Sequence, residues 1–225
     1  MAKGFVKFVL SVALLAGVAN GGDIIDRIVA VVNGHVILQS QWDESVAYEA
    51  LLNQRPAGNF TVEQRKAALD RLIDQELIRQ QSRPADFRVP TVADVEHRIR
   101  DIRKNYPNIS SEEAWQSLLA RYGLKESDLR DKVAAEIDEI RAVDAHLRPG
   151  VQVDSRSVES YYRDKLVPEL QARGAKEVAL AEVTPEIREV LAQQKMNDLL
   201  IAWLHTLRTS STIKTPFTGS EGEAH

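Results

Sequence analysis

The sequence predicts a mainly α-helical domain with a small antiparallel sheet, and three features lead to this prediction. Asn33-Gly34 separates two β-branched runs in residues 26–40, helical stretches with apolar residues three and four positions apart follow, and residues 212–215 form a late strand candidate. Because an isolated hairpin is only marginally stable in water, this hairpin needs a further strand. We therefore expect residues 212–215 to pair with it, which brings the two ends of the domain together.

Residues 26–40 contain the strongest turn signal of the chain. An Asn-Gly pair between apolar runs favours a type I′ turn, because both central positions of that turn need a positive φ angle. Both faces of the hairpin are apolar, so we expect helices to cover it. A two-residue loop fixes the register, and the predicted opposite pairs are Val32–His35, Val31–Val36, Ala30–Ile37 and Val29–Leu38.

The helices are predicted from apolar spacing, N-cap residues and breaks. The predicted ranges are 41–53, 62–81, 92–105, a short helix around Trp115, 125–147, a helix around Tyr161 that Pro168 and Gly174 interrupt, and 185–209. Side chains that accept a hydrogen bond from the first turn are typical of helix starts. The predicted caps are Ser40, Thr61 with Gln64, Thr91, Ser110 with Glu113, Asp154 or Ser155, and Thr184 followed by Pro185.

The composition excludes several kinds of function. The 225 residues are 44% hydrophobic and 28% charged, with a net charge of −4, which is typical of a globular protein. Lys and Arg are interspersed with Asp and Glu, so there is no basic stripe for nucleic acid. The chain has no cysteine, which excludes disulfides, thiolate metal sites and a lipid anchor on cysteine.

The first 19 residues have the three parts of a secretory signal peptide. Lys3 and Lys7 form the basic start, residues 8–16 form an apolar core too short to span a bilayer, and small residues precede a cleavage site after Ala19. An uncleaved anchor is the alternative. We expect one domain over residues 20–216, built from segments 20–149 and 150–216, a flexible tail over 217–225, and no membrane-spanning segment after cleavage.

No residue pattern predicts catalysis, a metal site or a cofactor. The five histidines show no ligand spacing, the serines lack a nucleophile elbow, and there is no phosphate-binding loop. The carboxylates lie beside Lys or Arg on helix faces, which is typical of solvated charges. We therefore predict that the protein is not an enzyme.

Aromatic and leucine side chains on the helices have two interpretations. Most such residues beside Leu and Ile pack in a core, but some could form an apolar groove that receives an unfolded peptide. The candidate peptide-binding residues, on the helices expected to be less completely covered, are Trp42, Tyr48, Leu51, Leu52, Trp115 and Tyr122.

Residues 26–40 resemble the opening of the mature SurA-type periplasmic chaperones. Residues 68–78, with Leu69, Leu72 and Ile73, resemble a helix of that family, and residues 187–215 resemble its closing helix and strand. The resemblance implies a helical chaperone domain built from an N-terminal and a returning segment, which binds unfolded outer-membrane or secreted proteins in the periplasm without ATP.

One departure from the family changes what the resemblance implies. Members usually insert one or two parvulin-type prolyl isomerase domains of roughly a hundred residues each, whereas only residues 165–184 separate the corresponding helices here. Isomerase activity is therefore not carried over. A degenerate or partial isomerase, and a dimerising envelope module that binds one folded partner, remain the alternatives, and a homodimer is left open.

Overall fold

The hairpin and the helices that follow it form as the sequence predicts, apart from several boundaries. The structure is a computed structural model and describes residues 26–81 and 90–215. The predicted signal peptide and tail lie outside these residues. The α-helices are α1 Gln39–Leu52, α2 Val62–Gln81, α3 Val92–Lys104, α4 Glu112–Arg121, α5 Glu126–Leu147, α6 Ser155–Tyr161, α7 Val167–Ala172 and α8 Leu180–Thr209.

Strands β1, Ile28–Val32, and β2, His35–Leu38, form the predicted hairpin. Asn33 and Gly34 have φ angles of 50° and 89°, which confirms the turn geometry. Three predicted pairs are present, but the fourth is wrong, because a bulge between Ile28 and Ala30 places Ile28 opposite Leu38. The extra residue turns Val29 inward, so both Val29 and Ala30 are buried.

The late strand β3, Ile213–Lys214, pairs antiparallel with β1, and the strand order is β2-β1-β3. This confirms the predicted joining of the chain's two ends. Asn33 strengthens the joint: its backbone N–H donates to the Thr212 carbonyl at 2.9 Å, and its Oδ1 accepts from the Thr212 N–H at 2.8 Å. Its Nδ2 donates to Gln80 Oε1 of α2 at 2.8 Å.

The helices cover only one face of the sheet. Val32 and Ile37 are buried on the inner face, whereas Ile28 is 56% exposed and Val36 is 39% exposed. The expectation that helices cover the whole hairpin is therefore wrong for its outer face. A short three-stranded sheet keeps its register because one face packs against the helices.

Two hydrophobic clusters fill the interior, and α1 contributes to both. The first, which we call the sheet core, joins the sheet to Trp42 and Val46 of α1, to α2 and to Leu207 of α8. The second, the helical core, joins Tyr48 and Leu51 of α1 to α3, α4 and the start of α5. Because α1 is buried on two sides, it lacks the single apolar stripe of a surface helix.

The last helix returns to the sheet and is anchored on α2. The Arg208 guanidinium donates from Nε to Asp74 Oδ1 at 2.6 Å and from Nη2 to the Asp70 carbonyl at 2.9 Å. Toward its start, α8 packs against α6, where Val158 and Ile187 are buried. The anchor at Arg208 places β3 directly beside β1.

Several predicted helix boundaries are wrong for local reasons. Helix α1 begins at Gln39, because the Gln41 side chain accepts the Leu38 N–H at 2.9 Å, while Ser40 donates to the Asp26 carboxylate instead of capping. The caps at Thr61 with Gln64 and at Thr91 are confirmed.

Helix α4 is capped by Ser111 rather than Ser110, and Asp154 caps α6. Helix α8 begins at Leu180, five residues before Pro185, and the Thr184 hydroxyl donates to the Leu180 carbonyl at 2.7 Å. Thr184 is thus inside the helix and not its cap.

Pro168 does not break the helical path. Residues Tyr162–Leu166 form a π-helical segment, in which the Val167 N–H donates to the Tyr162 carbonyl five residues earlier. In an α-helix the proline ring clashes with the carbonyl four residues back, and a wider π turn moves that carbonyl. The helical path therefore continues from α6 through this segment into α7. It ends at Ala172, just before Gly174, which has a positive φ angle and where the break was predicted.

We expect two substitutions of Asn33 to separate its role in the turn from the role of its side-chain hydrogen bonds. Asn33→Gly keeps the turn but removes the side-chain hydrogen bonds, and should lower the free energy of unfolding by about 1–2 kcal/mol. Asn33→Ala also places a Cβ without a polar partner at a positive φ angle, which should cost about 1 kcal/mol more. Urea unfolding measures both, with Asn108→Ala in an exposed loop as the control. An unchanged midpoint for Asn33→Gly would show that the side chain does not hold the joint.

Candidate functional site

Four of the six predicted peptide-binding residues are buried in the two cores. Trp42 and Tyr48 are each 8% exposed, and Leu51 and Trp115 are fully buried. The Trp42 Nε1–H donates to the Arg65 carbonyl at 2.7 Å, and the Tyr48 hydroxyl donates to the Glu136 carboxylate. The expectation that these four side chains lie on incompletely covered helix faces is therefore wrong. Both sides of α1 are packed, and Trp115 of α4 lies in the helical core.

The other two residues, Leu52 and Tyr122, are half-buried. Tyr122 lines a cavity of about 680 Å³ between the loops after α1 and α3, and its hydroxyl donates to the Arg55 carbonyl at 2.6 Å. Peptide binding by Leu52 and Tyr122 stays a prediction.

A different cleft, which we call the edge cleft, lies between β2, α2 and α5. Its volume is about 420 Å³. It lies beside the outer strand of the sheet, where the helices leave part of the inner face open. The residues that line it are His35, Ile37, Gln41, Leu72, Gln75, Glu76, Ile78, Arg79, Ala135, Asp138 and Glu139.

Apolar side chains from all three elements form much of the lining. Ile37 of β2 and Ile78 of α2 are buried core residues whose surfaces reach the cleft, and Leu72 is half-buried. Ala135 of α5 is exposed, and its small side chain leaves space between α5 and α2. The cleft thus offers apolar contact to a side chain that enters from solvent.

On the α2 side of the cleft, Glu76 is 7% exposed and fully paired. Arg79 donates to its two carboxylate oxygens at 2.7 Å each, and Gln80 Nε2 donates at 2.6 Å. Burial by itself raises the pKa of Glu76, but these hydrogen bonds outweigh burial and hold its pKa below its usual value. His35 Nε2 lies 3.7 Å from the same carboxylate.

On the α5 side, Asp138 and Glu139 lack such compensation. Burial raises the pKa of Glu139 to about 7, with only partial relief from a hydrogen bond to Gln75. Burial also raises the pKa of Asp138, and the charge of Arg141 offsets this only in part. The Asp138 Oδ1 atom is buried and has no hydrogen-bond partner among the residues that the structure describes.

Sequence reasoning missed these residues because it interpreted the carboxylates as solvated charges. The residue spacing contained a signal. Ala135 and Glu139 lie one helical turn apart on α5, and Leu72, Glu76 and Arg79 lie on successive turns of α2. Spacing gives the face of each helix but not which two faces meet. Within residues 26–81 and 90–215, no group of three or more His, Asp or Glu could hold a metal ion.

The comparison with known families agrees with this architecture. The model of the SurA-like N-terminal domain family matches residues 2–139. The chain belongs to the SurA-like N-terminal domain family. No curated protein matches it.

In the SurA-like domain the matched region ends within α5, directly at Glu139. It includes the hairpin, α1 to α4 and every residue that lines the edge cleft. Helix α8 and β3, which complete the sheet core, follow the match. The family domain is of a chaperone type rather than a catalytic one, and none of the described helices is both long and apolar enough to cross a bilayer.

We expect Glu139→Gln to remove a pH-dependent cost to stability. The folded-state pKa of Glu139 is raised from 4.5 to about 7, so the folded protein binds this proton more tightly than the unfolded chain does. The cost is absent below about pH 4.5, grows as the pH rises, and is complete above about pH 7. It amounts to at most about 3 kcal/mol.

Urea unfolding at pH 5 and pH 8 measures this effect. Glu139→Gln should stabilise the protein more at pH 8 than at pH 5. Glu186→Gln, at an exposed position of α8, should change stability equally at both pH values. The same stability difference for Glu139→Gln at the two pH values would contradict the burial of an ionisable carboxylate.

Proposed function

We propose that this protein is an ATP-independent periplasmic chaperone that binds unfolded outer-membrane or secreted proteins and releases them unchanged. The observation that carries the proposal is the edge cleft, an apolar-lined groove of about 420 Å³ in a domain of a chaperone-type family. Leu52 and Tyr122 provide a second contact region in this proposal. The periplasmic location rests on the family and on the predicted signal peptide.

The cleft is suited to weak, reversible binding. Burying one large apolar side chain contributes about 1.5–3 kcal/mol to the free energy of binding. A client segment that places one or two side chains in the cleft is therefore bound weakly and can dissociate. Polar residues such as Gln41, Gln75 and Arg79 border the apolar part and keep its rim hydrated. Many clients can therefore share one site, because contact depends on apolar surface and not on a fixed sequence.

An aggregation assay without nucleotide tests this function. We expect the protein, at amounts near that of the client, to reduce light scattering when a denatured β-barrel membrane protein is diluted from urea. A denatured soluble enzyme, tested in parallel, shows whether binding extends to unrelated unfolded chains. No reduction for either client would contradict the chaperone function and favour a module that binds one folded partner.

A matched pair of variants tests whether the edge cleft is the site. Ala135→Trp fills the cleft from an exposed position of α5, and should weaken client binding by about tenfold, since one client side chain loses its place. Ala145→Trp, at an exposed position of the same helix outside the cleft, should bind as the wild type does. Equal binding by both variants would place the site elsewhere, with Tyr122→Ala as the next variant to measure.

A refolding assay tests the isomerase alternative. The protein should not accelerate the proline-limited refolding of a model substrate at catalytic amounts. Acceleration at a small fraction of the substrate concentration would contradict the chaperone-only function.

A further inference from the structure

The free edge of β2 lies directly beside the edge cleft. In the order β2-β1-β3, strand β2 pairs with β1 on one side and with no other strand of the described residues. An outer strand offers backbone N–H and C=O groups to an extended peptide. The Leu38 N–H of β2 already donates to Gln41 Oε1 at 2.9 Å, so an added strand pairs with the residues before Leu38. His35 and Ile37 of β2 both line the cleft, so the inner face of this strand opens into it.

A strand added to β2 would direct its side chains into the cleft at every second position. Side chains alternate between the two faces of a strand, and residues opposite each other on neighbouring strands share a face. A client side chain that lies beside Ile37 therefore points toward α2 and α5. There it meets the apolar surfaces of Leu72, Ile78 and Ala135.

The charges of the cleft favour a positive group on that side chain. Glu76 is already neutralised by Arg79 at 2.7 Å. Asp138 and Glu139 form no ion pair with a described cationic residue, and the Arg141 guanidinium near Asp138 pairs with Asp94 at 3.0 Å. Asp138 Oδ1 is buried without a hydrogen-bond donor. Burial, together with the charges of Glu136 and Asp74, raises the pKa of Glu139, so a positive group at this wall would stabilise both carboxylates.

Lysine and arginine match this combination of surfaces. Each has an apolar stem that packs along apolar surface and a charged end that seeks polar partners. A norleucine side chain supplies a similar stem but no charge, and would leave the two carboxylates without a cationic partner. A charge-assisted hydrogen bond to a partly buried carboxylate is stronger than a neutral one.

We propose that the edge cleft selects client segments that add to β2 as an extended strand and place a lysine or arginine side chain against Asp138 and Glu139. This inference rests on the proposed chaperone function and names the class of segment that the cleft takes.

Fluorescently labelled short peptides of alternating valine and serine test the charge preference by anisotropy. With lysine at the centre, the peptide should bind the wild-type protein about tenfold more tightly than with norleucine, and the difference should shrink at high salt. Asp138→Asn should reduce the preference. Asp131→Asn, at an exposed position on the same helix outside the cleft, should preserve it.

Alternate backbone N-methylation of the lysine peptide tests strand addition. Successive N–H groups of a strand point to opposite edges, so only every second one can reach β2. Of two peptides methylated at odd or at even positions, we expect one to lose binding by about tenfold or more and the other to retain it. Equal losses, or none, would contradict pairing with β2.

The outcomes separate this inference from the proposed function. Equal binding of the lysine and norleucine peptides, both weakened by Ala135→Trp, would overturn the charge selection and keep the cleft as a chaperone site. A lysine preference that persists in Asp138→Asn and also in Glu139→Gln would overturn the assigned partners. Suppressed aggregation without binding of either peptide would overturn the inference while the chaperone function stands.

Discussion

The pairing of β3 with β1 decides where the other elements lie, because it fixes the end of α8 beside the hairpin. Two ladder pairs and the Asn33 side chain make this joint, and the ion pair between Arg208 and Asp74 supports it from α2. The sheet core depends on it, since Leu207 enters that core from the last turn of α8. A short contact at β3 therefore completes a core whose other buried residues all lie between Val29 and Ile78.

The same arrangement explains where the edge cleft lies. With β3 on one side of β1, strand β2 becomes an outer strand, and the helical layer beneath it ends at Ala135 and Leu72. Burying Asp138 and Glu139 at this place costs stability in the free protein. Carboxylates with strongly shifted pKa values cluster at functional sites, and in the proposed complex a cationic side chain compensates these two.

Local chemistry allowed much of the fold to be predicted from the sequence. Asn33-Gly34 needs no tertiary context to form a type I′ turn, and the Thr61–Gln64 capping box closes within one turn of helix. The bulge at Val29 could not be predicted from the local sequence. It turns the Val29 side chain into a core that distant elements form. Pro168 was expected to interrupt a helix, and the π-helical segment that accommodates it depends on i→i+5 hydrogen bonding that no local pattern signals.

The candidate site was less predictable than the fold, because it depends on how distant elements pack. Trp42 and Trp115 are aromatic residues of the kind found in binding sites, but whether an aromatic side chain is covered depends on the packing of other helices. The edge cleft combines Ile37, Leu72 and Ala135 from three elements far apart in sequence. The spacing of apolar residues identifies the apolar side of one helix or strand. It does not show where three such elements leave a cleft between them.

The distance along the chain between Asn33 and Thr212 has a consequence for the order of folding. These residues meet across 179 positions, and a ribosome synthesises the amino end first. Strand β1 is therefore complete long before its second neighbour exists, and joining them requires the closure of nearly the whole chain, which slows folding. During that interval the newly made protein presents open strand edges on both sides of its own hairpin. Because β1 has only five residues, the length of exposed edge is limited during this interval.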